Sequence, residues 1–139
     1  MQDNRAKSQT SRPALPKIDD YMRQLCAAIA DELHNWPDVT SRKMFGMLGF
    51  YRDLSHLPQP KIFACIPDKR ALSSQHAIAF RLEKPKPAQA ARMKSDPRIV
   101  TSPDPERAAK WFEFSLQSPT DIPAALHWLG EAYAAVKQK

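Results

Sequence analysis

Glycine is nearly missing from this chain: Gly46, Gly49 and Gly130 are the only three in 139 residues. Neither the G-x-G-x-x-G turn of dinucleotide-binding domains nor a P-loop can be written with those positions. Cysteine is scarcer still, with Cys26 and Cys65 alone, both among apolar neighbours. Reduced thiols and a cytoplasmic location are the simplest reading, with a single Cys26–Cys65 disulfide as the alternative. No apolar run approaches the length of a membrane span. Residues 1–17 are polar and hold no apolar signal-peptide core.

Catalytic patterns are lacking too. His34, His56, His76 and His127 are far apart, and none lies at ligand spacing from another histidine or a cysteine. Asp19, Asp20, Asp104 and Glu106 stand at helix starts or turns, so nothing nominates an acid–base pair. Cys65 sits among Ile62, Phe63, Ala64 and Ile66, a setting for a buried thiol and not for an activated thiolate. Gly46-Met47-Leu48-Gly49 has the form of the G-x-x-G clamp of KH domains. That clamp needs a polar or basic centre, which Met47 and Leu48 do not supply. We therefore expect no catalytic residue, no metal and no cofactor.

What the chain does contain is amphipathic pattern. Ile18, Met22, Leu25, Ile29, Leu33 and Trp36 recur at three-and-four spacing, which predicts a helix from about Ile18 to Asn35, ended by Pro37. A second stripe, Ile122, Leu126, Leu129, Tyr133 and Val136, predicts a closing helix from about Thr120 to Lys137, with Thr120 as N-cap. Trp128 lies off that stripe, placed to cover a core edge or to meet a partner. A short helix from about Pro87 to Lys94 has proline in its first turn.

Strands fill the space between. In Lys110–Leu116, Phe112, Phe114 and Leu116 alternate with Trp111, Glu113 and Ser115, the period of a strand with one face on a core. In His76–Leu82, Ile78 and Phe80 share one face only if Ala77, Ala79 and Arg81 take the other. Lys61–Ile66 reads as a central strand, and Arg98–Ser102 as a brief one. In Ser41–Asp53 we expect a strand bent at Gly46, with Met44, Phe45 and Gly46 shaping the curve of the sheet. The whole is an α+β two-layer sandwich, a mostly antiparallel sheet with the N- and C-terminal helices packed on it. Residues 1–16 read as a disordered basic arm, and 17–139 as one domain. Sheet edges leave room for a homodimer.

The net charge of +6 is uneven. Residues 61–98 hold nine bases and three acids, and residues 1–17 hold four bases and one acid. Arg81, Lys84, Lys86, Arg92, Lys94 and Arg98, extended by Arg42 and Lys43 if the sheet exposes them together with Arg81, form a candidate surface for a phosphate-rich partner. The plainer alternative is a solvated basic face. The aromatic residues read as core, which leaves no stacking platform.

Arg42, Met44, Phe45, Gly46, Tyr51, Phe63 and Ala64 stand in an order that resembles the signature of the TfoX N-terminal-like family. There, a helix leads to an Arg-x-Met-Phe-Gly segment, then a tyrosine and a Phe-Ala strand. The ending, Trp111–Leu116 followed by Asp121–Val136, is also similar to the aromatic strand and last helix of those domains. The YjbR-like group, small basic α+β domains, is the nearest neighbour. The resemblance covers most of residues 18–137. It implies a helix–sheet–helix domain linked, when fused to a second domain, to competence regulation in bacteria. The function expected from it is a non-enzymatic regulatory or protein-interaction module. The alternative is a nucleic-acid-binding protein using residues 61–98 and the N-terminal arm; a small enzyme with a pocket between sheet and helix ranks third.

Overall fold

A computed structural model describes residues 17–72, 76–101 and 110–136. The expected N-terminal arm lies outside them. Helix α1 spans Asp20–His34 and begins where Asp19 caps it, the Asp19 Oδ1 accepting the Met22 N–H at 2.7 Å. Strands β1 (Val39–Met44), β2 (Met47–Arg52), β3 (Lys61–Pro67) and β4 (Ala77–Arg81) follow. Helix α2 (Pro87–Ser95), strand β5 (Ile99–Thr101), strand β6 (Trp111–Ser115) and helix α3 (Ile122–Ala135) complete the order. The sheet runs β1-β2-β3-β4-β6-β5, and every neighbouring pair is antiparallel.

Register decides which residues share a face. Phe50, Ala64, Phe80 and Phe112 are partners in turn across four strands. Phe50 meets the His34 ring of α1, and Phe80 stacks on Trp128 of α3 at 5.5 Å between centroids. Both long helices therefore cover one side of the sheet. Ile78 and Phe114, partners in the next row, are fully buried there too. The expected alternation of β4 and β6 holds. α2 packs on α3, with Met93 buried in the core and the Arg92 guanidinium 4.7 Å from the Trp128 ring centre.

The other face carries a row of register partners, Arg42, Gly49, Cys65, Ala79, Glu113 and Val100. No described helix lies over it. Met44, Tyr51 and Ile62 surround Gly49 there, in the space that a Cβ at that position would need.

Three expectations are corrected. Met44, Phe45 and Gly46 do not bend a strand. They close a two-residue hairpin between Met44 and Met47, with φ of 50° at Phe45 and 80° at Gly46. Two positive φ values match the twist of the flanking strands, as a type I′ turn does. The irregularity in the sheet lies instead between Phe50 and Tyr51, where Phe63 is the unpaired residue of β3.

Trp128, expected off the stripe, is 4% exposed and central to the core. Ala125, Trp128, Leu129 and Ala132 form the buried side of α3, because its small alanines let the helix settle with the indole inward. Thr120 is not the N-cap of α3, since a 3-10 turn, Pro119–Asp121, precedes that helix and Asp121 takes the cap position. The Asp121 carboxylate turns back to accept the N–H groups of Gln117 and Ser118.

Candidate interaction surface

The expected basic surface does not form one patch. Arg42 and Lys43 are neighbours in β1 and project to opposite faces. Arg42 lies on the face opposite α1 and α3, its guanidinium 5.1 Å from the centre of the Tyr51 ring. Three arginines of residues 61–98 are engaged by carboxylates. Arg81 pairs with Glu83 at 3.0 Å. Arg92 meets Glu131 at 3.3 Å and donates to His127 Nε2 at 2.7 Å. Arg98 reaches Asp96 and Asp121, each at 3.1 Å, and covers the Phe114 ring. Its guanidinium holds the Asp96 carboxyl below the usual carboxylate range. The Asp121 carboxyl is held low first by the Gln117 N–H and then by Arg98. The Gln89 side chain, with Arg92 and His127, does the same for Glu131. Arg92 and Arg98 thereby tie α2 and the β5 approach to α3.

Lys84, Lys86 and Lys94 are exposed. β4 carries the chain about 17 Å along the sheet, so Lys84 and Lys86 emerge at the end opposite to Lys69 and Arg70. A hollow at the Lys84 end, lined by Lys61, Ile62, Arg81, Glu83, Ala132 and Val136, holds about 40 Å³. Small-molecule sites run to roughly 300–1,000 Å³.

The family-motif residues separate by role. Phe63 and Ala64 are buried, Phe63 stacked on Trp36 at 6.4 Å and meeting the edge of Tyr133. Tyr51 is half-buried beneath Arg42. Phe45 is 83% exposed. Its tip is nonetheless held firmly, because the Gly46 carbonyl accepts the N–H groups of Asp68, Lys69 and Arg70 at 3.2, 2.8 and 3.1 Å. A side chain at Gly46 would overlap that of Arg70. The start of the described chain reaches the same bend, since Lys17 bridges to Arg70 and the Ile18 N–H bonds the Lys69 carbonyl. Phe45 thus stands on a pinned tip flanked by Lys43, with Lys69 and Lys17 beside it.

Sequence reasoning named Lys43, Phe45 and Gly46 but missed the turn that makes them an exposed tip. One signal was present: Met44 and Met47 flank a two-residue gap whose second member is glycine, between segments of strand-forming residues. The signal was weak because Phe-Gly is not among the Asn-Gly or Asp-Gly pairs that mark such turns.

Elsewhere the two thiols part ways. Burial, with the charge of Asp68, pushes the Cys26 thiol up to about 12. Cys65 is half-buried on the face opposite α1 and α3, and no disulfide joins the two. Among the described residues no group of His, Cys, Asp and Glu is arranged to hold a metal ion, and no helix is long and apolar enough to cross a membrane. No family model, curated protein or solved structure matches the chain.

Proposed function

We propose that this protein is a binding module, not a catalyst, and that it engages its partner through the tip of the β1–β2 hairpin. One observation carries the reading: Phe45 is a bulky side chain in the left-handed region, exposed, at a tip the fold takes care to fix. Left-handed φ costs an L-residue about 1–2 kcal/mol, least for Gly, Asn and Asp. A phenylalanine there returns nothing to the core, since its ring is in solvent. Strain that stability does not explain points to a use elsewhere. A regulatory or interaction role is also what the likeness to TfoX N-terminal-like domains implies, and Phe45-Gly46 of that motif is the tip itself.

The test is the stability of Phe45→Asn. Asparagine accepts this turn position, so the variant should unfold at a higher temperature, by about 1 kcal/mol of added stability. A lower melting temperature for Phe45→Asn would mean that the ring serves the fold, and the reading would fall.

A further inference from the structure

Resting on that reading, we infer that the partner is single-stranded nucleic acid, with an unpaired base stacked on the Phe45 ring and the backbone held by Lys17, Lys43 and Lys69. Three large apolar side chains are exposed among the described residues: Tyr21, Phe45 and Val100. Val100 sits in β5, the far edge strand. The two aromatic ones share the other end. Tyr21 is in the first turn of α1, three residues after the Ile18 amide that bonds the Lys69 carbonyl, and Lys69 in turn bonds the hairpin tip.

An exposed aromatic face and lysine ammonium groups are the two elements that a single strand needs, and the tip and the bend that pins it carry both. The bend also contains Asp68, whose charge is felt at Cys26.

The geometry favours an unpaired strand over a duplex. In a duplex each base already stacks on its neighbours, and wedging them apart costs several kcal/mol that a broad wrapping surface must offset. A two-residue turn offers one ring on a narrow tip. An unpaired base has its own π face available and needs no such opening. A lipid surface would draw on the same lysines, but it would not require a flat ring.

The experiment is fluorescence anisotropy with the full chain and a labelled oligothymidylate of about twelve nucleotides. Controls are the same strand made duplex, an abasic strand of equal length, and vesicles rich in phosphatidylserine. The single strand should bind, and its affinity should fall linearly with salt on logarithmic axes. Phe45→Ala and Phe45→Asn should each weaken that binding about 5- to 150-fold. The abasic strand should bind weakly and equally to all three proteins.

Equal affinity for base-bearing and abasic strands, or no loss in the Phe45 variants, would overturn the inference. So would a preference for duplex or for vesicles. The two readings fail separately. If no oligonucleotide binds while Phe45→Asn still stabilises, the binding tip stands and only the partner is wrong.

Discussion

The carbonyl of Gly46 accepts the backbone N–H of Lys69 at 2.8 Å, and this bond joins the β1–β2 turn to the segment between β3 and β4. Those two stretches are both connections, the parts of a chain that usually move most. Here each fixes the other, and the beginning of α1 is held through the Lys69 carbonyl. The tip is stiff because the backbone, not side-chain packing, secures it.

Gly46→Ala should therefore be costly. Its φ of 80° disfavours any Cβ, and the added methyl would overlap Arg70. We expect a loss of about 1–3 kcal/mol, read as a lower urea midpoint. Gly130→Ala offers the contrast. Among the described residues a Cβ there meets the Trp36 ring alone, at 3.9 Å, and a helix interior prefers alanine to glycine. A gain of about 0.5–1 kcal/mol is expected.

Trp128→Ala should destabilise by about 3–5 kcal/mol. The indole is nearly fully buried, stacks on Phe80 and lies beneath the Arg92 guanidinium. Thermal unfolding measures the loss. If Trp128 met a partner instead, the variant would keep its stability.

Acid should weaken the α2–α3 end first. Asp96, Asp121 and Glu131 have carboxyls held below their ordinary values in the folded state. Their contribution is thus full above about pH 4–5, where the unfolded chain's carboxylates are also ionised. It is lost as the pH falls through the lower folded values. Arg98→Ala removes a cause of the shift at Asp96 and Asp121. Unfolding along a pH series should show the wild-type advantage over this variant at pH 7, narrowing as the pH falls below the ordinary carboxylate range. Part of the Asp121 shift should survive, because the Gln117 N–H remains.

The thiols should differ in rate. Cys26 is buried and its thiol raised to about 12, so an aromatic disulfide reagent should reach it only when the domain opens. Cys65, half-buried on the face opposite α1 and α3, should react first. Equal rates in native buffer would show that the core around α1 is open.

Sequence by itself determined the elements that follow one clear period. The stripe from Met22 to Leu33 and the alternation from Trp111 to Leu116 each match one backbone period, and a period is a local property that burial then obeys. Pro37 as the stop of that helix was as local, whereas Asp19 as its cap emerged only with the structure. Tertiary structure alone decided the rest. Whether Phe45 lies in the core or in solvent depends on which residues pair across the turn, and Met44–Met47 pairing is not written in either strand. Which side of α3 turns inward depends on whether Trp128 finds a ring to stack on, and Phe80 lies 48 residues away in sequence. The fate of the basic residues was non-local as well: Arg98 is engaged by Asp121 across 23 residues, while Lys17 and Lys69 come to the bend at the tip only because the chain folds back there.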